Sequence, residues 1–283
     1  MLRSDGSPGG DAHEGHSCMS DEVEDTRLIA EEAEQYNATL VDRVDETPTL
    51  AYVKVRLDGD PVPFEPGQYM TVGVFADGKL WQRPYSVASA PSTAADGYEL
   101  YVRLVPIIRF TTLLWRLQPG QRMRMTGPKG RFVLEPDDTR IHVFVSTGTG
   151  IAPFIAMMRD TLAQGRPRKV VVLHGVSFAD ELGYRGLLEA WERDGTYPVR
   201  YVPTVSRPLD PRNAGWTGRT GRVEDVIADV CHDLGLRSDR TVVYICGNPD
   251  MILNVERVLM HRGFPEFHVK KELYWPKGKS PTI

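Results

Sequence analysis

Between Asn37 and about Glu135 the apolar positions fall in short runs that alternate or are β-branched and aromatic. "ATLVDRV", "LAYVKVRL", "QYMTVGVF", "YELYVRLV" and "QRMRMTGP" read as strands, separated by "DETP", "DGDPVPFEPG", "DG" and "QPG". Closely spaced strands broken by Gly, Pro and Asp predict an antiparallel barrel or sandwich. One insertion departs from that period. "TTLLWRLQPG" has apolar residues at 113, 114 and 117 and ends in Pro-Gly, a short helix with a stop.

From Arg140 the pattern changes. The apolar runs "IHVFVS", "RKVVVLHGV", "VRYVPTVS" and "TVVYICG" lead in turn to "GTGIAPFIAMMRDTLAQG", "ADELGYRGLLEAWERDG", "GRVEDVIADVCHDLG" and "NPDMILNVERVLMHRGF", and "EFHVKKELYW" closes the series. Apolar strands alternating with amphipathic helices predict a parallel sheet covered on both faces. The two patterns meet near Pro136–Thr139. The expected organisation is an acidic tail over 1–36, a β-domain over 37–137, an α/β domain over 138–275 and a short tail over 276–283.

The chain has 283 residues, 41% hydrophobic and 25% charged, which suits two folded domains. No apolar run approaches the roughly 18 residues of a membrane span, and the N-terminus lacks a signal-peptide apolar region. Three cysteines, Cys18, Cys231 and Cys246, are too few and too scattered for a disulfide framework, so the expected compartment is the cytoplasm. The net charge of −4 conceals an asymmetry: residues 1–36 hold ten acids and two bases, the remainder 28 acids and 32 bases. The opening segment, rich in Gly, Ser and acids, is expected to be mostly disordered, with a candidate helix capped at Ser20. Its "HEGHSC" is read as part of that tail, and no metal site is expected. The mildly basic body, with its local run "QRMRMTGPKGR", would attract an acidic protein or simply form a solvated rim.

Three stretches carry candidate chemistry. In a parallel sheet, ligands bind beyond the C-terminal strand ends. "STGTGIAP" lies at such an end: Gly148 and Gly150 let backbone approach a ligand, the following helix offers N–H groups to a pyrophosphate, and Pro153 suits the first helical turn. It is neither the G-x-G-x-x-G fingerprint, since Pro153 replaces the third glycine, nor a P-loop. Alone it could be only a tight turn. "YICGNPDM" repeats the geometry later, with Cys246 and Gly247 at the strand end and Asn248 as candidate helix cap. In "RPYSVASAP", Arg83 can grip a phosphate with two charge-assisted hydrogen bonds, and Pro84 forces an extended backbone. Tyr85 then shares a face with Arg83 as a flat stacking surface, and the Ser86 hydroxyl can both donate and accept. A polar surface turn remains the plainer reading of the same residues.

These motifs together resemble the ferredoxin–NADP reductase family, and within it the bacterial ferredoxin(flavodoxin) reductases. "RPYSVASAP" resembles the family's R-x-Y-S flavin motif, and "YVRLVP…RFTTLLWRLQPG" its second FAD segment. "GTGIAP", "HGV…ADELGY", "VSR", "GR", "CGNPDM" and "ELYW" follow in family order, so that the resemblance spans about Asn37 to Trp275.

The resemblance implies an antiparallel Greek-key FAD barrel followed by a Rossmann-like NADP domain. It places Arg83 and Pro84 with Val102, Thr111 and Thr112 around FAD, Arg83 on its pyrophosphate and both threonines against its phosphates. It puts Tyr85 on one flavin face and Tyr274 on the other, Trp275 among the FAD-binding residues, and Ser86 near N5. Thr147, Gly148, Thr149, Gly150, Ser177, Arg207, Arg222, Cys246 and Gly247 are assigned to NADP(H). Ser86, Cys246, Glu272 and Tyr274 are the implied catalytic residues. The chain departs from the pattern at Ser177, where relatives often carry an arginine for the 2′-phosphate, and in the "PKGKSPTI" that follows Trp275.

The implied activity is hydride transfer between NADPH and FAD, coupled to one-electron exchange with an acidic ferredoxin or flavodoxin. The enzyme is expected to be a monomer without nucleic-acid or membrane partners. No iron–sulfur ligand set is seen in the sequence, so the one-electron partner is expected to be a separate protein. Two alternatives stay open: the NAD(P)H-dependent reductase component of an oxygenase or other electron chain, and a flavin-binding subunit with no nicotinamide turnover of its own.

Overall fold

The structure, a computed structural model, describes residues 34–273. The candidate helix at Ser20, the "HEGHSC" stretch, Tyr274, Trp275 and the final eight residues lie outside the described residues.

Six antiparallel strands form the first domain: β1 (Ala38–Thr47), β2 (Leu50–Leu57), β3 (Tyr69–Ala76), β4 (Lys79–Ser86), β5 (Tyr98–Arg103) and β6 (Arg122–Lys129), in the order β4-β3-β6-β1-β2-β5. Just past β4, Val87 bridges to Leu100 of β5 and Ala88 N–H donates to Glu99 O at 2.8 Å, so the two ends of the sheet meet and a barrel closes. Its interior holds Leu40, Val53, Met70, Val72, Leu100, Met123 and Phe110 of helix α1 (Arg109–Arg116). Asp77 and Gly78 both have positive φ, 54° and 66°, which makes a tight hairpin turn whose twist suits the flanking strands. That turn is what converts the polar stretch before Ser86 into a strand: β4 pairs with β3 over its full length, Lys79 opposite Ala76 through Ser86 opposite Tyr69. Among the described residues the other edge of β4 meets no strand before Val87, which is why Pro84, with no N–H, is tolerated there.

The second domain is a six-stranded parallel sheet of β7 (Ile141–Thr147), β8 (Val170–Val176), β9 (Val199–Val205), β10 (Arg219–Thr220), β11 (Thr241–Gly247) and β12 (Val269–Leu273), ordered β10-β9-β8-β7-β11-β12. Helices α2 (Ala152–Ala163) and α3 (Arg185–Asp194) cover one face; α4 (Val223–Asp233) and α5 (Pro249–His261) cover the other. Alternation inside the strands divides them cleanly. Phe144, Val172, Tyr201 and Tyr244 pack with α2 and α3, whereas Val143, Val145, Leu173 and Ile245 pack with α4 and α5. With both faces buried the strands look uniformly apolar in sequence. Among the described residues no helix is long and apolar enough to cross a membrane.

Helix α3 starts at Arg185 rather than near Ala179. A Cβ on Gly183 would strike the Tyr101 ring and hydroxyl, and Tyr184 takes a left-handed backbone at φ 59°. That turn serves the domain contact. Tyr184 N–H donates to Tyr52 Oη at 2.9 Å, Tyr184 Oη to Glu99 at 2.9 Å, and Arg159 bridges to Glu99 at 2.7 Å and to the Ala88 carbonyl at 2.9 Å. Tyr52 and Tyr101 stack at 4.9 Å, with the Tyr184 ring edge-on to both. Buried polar links of this kind resist sliding more than apolar packing alone, because each would be left unpaired by a shift.

Candidate functional site

The parallel sheet reverses direction of growth between β7 and β11, and the turns leaving these two strands are interlocked. A Cβ on Gly150 would sit 2.5 Å from the Cys246 carbonyl, and one on Gly247, whose φ is 140°, would strike Thr147. Thr147 Oγ1 accepts the Asn248 N–H at 3.0 Å. Asn248 caps α5 by accepting from the N–H groups of Asp250 and Met251 at 2.9 and 3.3 Å, as its position in the sequence suggested. Under the first turn lies His174, fully buried, with its ring 3.0 Å from the Gly148 carbonyl and 3.3 Å from Tyr201 Oη. Burial pushes the imidazole down to about 4, so at neutral pH it is uncharged, with one nitrogen donating to Gly148 O and the other accepting from Tyr201.

A groove of about 600 Å³ opens at these strand ends. It is bounded by Thr147, Gly148, Thr149, Ser177, Arg207, Arg222 and Gly247, which brings together seven of the nine residues expected there. The other two sit behind it: Gly150 and Cys246 are buried and contribute backbone to the turns. The sequence reading missed Arg103, Phe178, Glu181 and Ser206, which also line the groove. Arg103 and Glu181 pair at 2.9 Å across the domain boundary. Their quoted motifs held both, but nothing in spacing alone shows that they meet. Among the described residues Arg207 and Arg222 form no ion pair, so the groove offers an anion two guanidinium groups without a carboxylate partner. Backbone that tolerates no Cβ, a helix entry and free positive charge fit a nicotinamide dinucleotide.

On the barrel side, Ser86 is 3% exposed and its Oγ donates to Glu272 Oε2 of β12 at 3.4 Å. This is the only hydrogen bond of the Glu272 side chain among the described residues. Burial pushes its carboxyl up to about 7, against a smaller opposing effect of the Ser86 hydroxyl. Glu272 lies opposite Cys246 in the β11–β12 register, and Cys246 lies opposite Ser146 on its other side. Tyr85 is half-buried, its ring 6.0 Å from Phe110, and burial holds its phenol above the usual tyrosine range. Arg83 is half-exposed on the open edge of β4. An uncovered strand edge with a guanidinium, a ring and a hydroxyl holding only one long hydrogen bond fits a planar phosphorylated cofactor.

Three further expected FAD residues differ in what they can offer. Thr111 is 4% exposed and its hydroxyl is used within the chain: it donates toward Val105 O and Ile108 O at 2.8 and 3.0 Å and accepts the Val105 N–H at 3.1 Å. It braces the loop before α1 and has little capacity left for a phosphate. Thr112, half-buried, donates to Arg109 O at 2.8 Å and keeps lone pairs to accept. Val102 is fully buried in the barrel core, so only its backbone could face a ligand.

Two family models match this chain: an oxidoreductase FAD-binding domain over residues 37–134 and an oxidoreductase NAD-binding domain over residues 144–257. Ferredoxin–NADP reductase B of Sorangium cellulosum is 34% identical over 77% of this chain and 88% of its own length. The chain belongs to the ferredoxin–NADP reductase family. It is accordingly a flavoprotein oxidoreductase with an FAD-binding barrel and a nicotinamide-nucleotide domain. Within the wider family, the phenol hydroxylase P5 protein of Acinetobacter pittii is 30% identical over 90% of this chain and 70% of its own. A cytochrome P450 reductase from Amycolatopsis superposes with a TM-score of 0.72 at 29% identity, covering 85% of this chain and 70% of that one. A ferredoxin NADP+ reductase from Neisseria gonorrhoeae, solved with FAD and NADP, shares the fold at 0.72 and 24% identity over 84% and 98%.

Proposed function

We propose that this reductase exchanges a hydride between NADPH and FAD, and single electrons between FAD and a small, separate, acidic redox protein such as a ferredoxin or flavodoxin. The Ser86–Glu272 contact carries this reading: one residue from the FAD barrel and one from the nucleotide domain meet where the β7 and β11 turns end. FAD, when bound, supplies the conversion between two-electron and one-electron chemistry. The chain's own residues do the rest. Arg83 and Thr112 would hold the phosphates of FAD, and Tyr85 would support its ring. Ser86 Oγ, which donates to Glu272 Oε2, would serve the flavin nitrogen that takes the hydride. With its carboxyl near 7, Glu272 is part protonated at neutral pH and can release or recover that proton with little bias. The Thr147–Gly150 turn, Arg207 and Arg222 receive the coenzyme, and Cys246 fixes the end of β11 against Glu272. The stiff domain contact at Glu99, Arg159 and Tyr184 keeps these two half-sites at one separation, the positioning from which such enzymes draw much of their rate.

The electron partner is recognised by charge. In β6 the apolar Met123 and Met125 turn inward, while Lys129 and the nearby Arg116 and Arg131 are exposed; Arg122 is already paired with Asp58. Anaerobic addition of NADPH to the FAD-loaded protein should bleach the flavin, and a ferredoxin or flavodoxin should then be reduced in a salt-sensitive reaction. A flavin left oxidised by excess NADPH would refute the enzyme reading.

A second reading has its own support. Ser177, where an arginine would favour the 2′-phosphate, and the likeness to oxygenase reductase components such as that of terephthalate 1,2-dioxygenase from Comamonas sp, 29% identical over 89% of this chain, fit an NADH-using component. An NADH preference above about tenfold, or 1.4 kcal/mol, would select it.

A further inference from the structure

Asn213 is 3% exposed although it lies in the loop that follows β9. Its Oδ1 accepts the Ala179 N–H at 2.8 Å, and its Nδ2 donates to the carbonyls of Ser177 at 2.9 Å and Arg207 at 2.8 Å. Since a backbone N–H can only donate, the amide orientation is fixed by the Ala179 contact. Asn213 therefore ties the loop after β8 to the loop after β9, and these two loops form one wall of the coenzyme groove.

The same loops meet around Phe178. The Arg207 guanidinium lies 5.3 Å from the ring centre and that of Arg212 3.8 Å. The two cations are not equivalent. Arg212 makes paired hydrogen bonds to both Asp180 oxygens at 2.7 and 2.8 Å, whereas Arg207 lines the groove with no carboxylate partner among the described residues. The β7 and β11 turns, by contrast, are held by Thr147, Asn248 and His174 without help from Asn213.

We propose that Asn213 is the positioning residue for coenzyme selectivity, holding Ser177 and Arg207 at the spacing that takes a 2′-phosphorylated ribose. This rests on the NADPH reading above. Without the amide, the Ala179 N–H and the Ser177 and Arg207 carbonyls lose their shared partner, and the Arg212–Asp180 pair and the Ser206 N–H bond to the Val176 carbonyl are left to hold the two loops, so the Ser177–Arg207 spacing loosens. The nicotinamide end of the groove, which has its own supports, stays in place. The loss therefore falls on the 2′-phosphate.

The test uses Asn213→Ala and Asn213→Asp in the full-length, FAD-loaded chain. The aspartate keeps the acceptor for Ala179 but sets a carboxylate oxygen against two carbonyls, so it serves as the size-matched second variant. Steady-state KM and kcat with NADPH and NADH are read together with inhibition by 2′,5′-ADP and by 5′-AMP. The expected result is a KM for NADPH and an inhibition constant for 2′,5′-ADP raised about tenfold, with NADH, 5′-AMP and both kcat values within about twofold. Equal weakening of both coenzymes, or an unchanged preference alongside a lowered Tm, would overturn the proposal and leave Asn213 a purely structural residue. A wild-type protein that binds 2′,5′-ADP no better than 5′-AMP would instead overturn the NADPH reading itself, and selectivity at Asn213 with it.

Discussion

In the barrel the proposed site groups are side chains carried along a strand, Arg83 to Ser86 of β4, held by a hairpin and, among the described residues, unpaired on one edge. In the parallel-sheet domain the groove is shaped mainly by backbone, the turns at Gly148–Gly150 and Gly247, with arginines added from loops. The contrast teaches where each half is vulnerable. A strand keeps its backbone hydrogen bonds when a side chain is trimmed, so the barrel can lose chemistry and still hold its cofactor. Interlocked turns leave no space for a methyl group, so the other half loses shape before it loses any functional group.

The largest expected effect tests the barrel side. Ser86→Ala should slow hydride transfer by roughly 10²- to 10⁴-fold, the range for losing a proton-handling group, while the visible spectrum shows FAD still bound. Stopped-flow reduction by NADPH reads it, and an unchanged rate would remove Ser86 from the reaction. The matching change in the turns is Gly150→Ala, whose methyl would press on the Cys246 carbonyl. It should raise KM for NADPH and lower thermal stability together, by an amount on the order of the 1–3 kcal/mol typical of overpacking. Loss of turnover with normal KM and Tm would mean that the turns are not the rigid half of the site.

Arg207→Ala is smaller and tests the loop-borne charge. KM for NADPH should rise about tenfold with NADH nearly unaffected, since one charge-assisted contact is removed. Equal losses would take Arg207 away from the 2′-phosphate. The smallest effect is a slope against pH. The carboxyl of Glu272 ionises near 7 in the folded protein and at about 4.5 when unfolded. The wild type should therefore lose stability as pH rises from about 4.5 through 7, because the folded chain must give up a proton it prefers to keep. Glu272→Gln should flatten that slope in denaturant titrations at pH 5 and 8. Parallel slopes in the two proteins would mean that Glu272 is not a buried acid.

How much of this could be read from the sequence differs between the halves in the same way. The barrel and the doubly covered parallel sheet follow from the change of apolar period at Arg140, and "DG" at 77–78 marks the hairpin that makes β4 a strand. The Asn248 cap was legible because capping is local. Asn213 was not, because its importance lies in which two distant loops fold back onto it. The late start of α3 was hidden for a similar reason: helical periodicity runs on through "ADELGY", and only the Tyr101 ring packed against Gly183 breaks it. At Thr111 the motif position says that a hydroxyl is present, whereas hydrogen bonding decides how much of it is available, and that is set by the fold. Glu272 could be named from "ELYW", but its carboxyl is raised by burial that only the folded chain creates, and its partner Ser86 lies 186 positions away in the barrel.

The central claim is that Ser86 and Glu272 make one working site from two domains. The most direct measurement is the anaerobic single-turnover rate of flavin reduction by NADPH across pH 5 to 9, in the wild type and in Glu272→Gln. The wild type should bleach rapidly with an inflection near pH 7, which disappears in the variant while FAD stays bound. A flavin that NADPH does not bleach, or an inflection that survives the substitution, would contradict it.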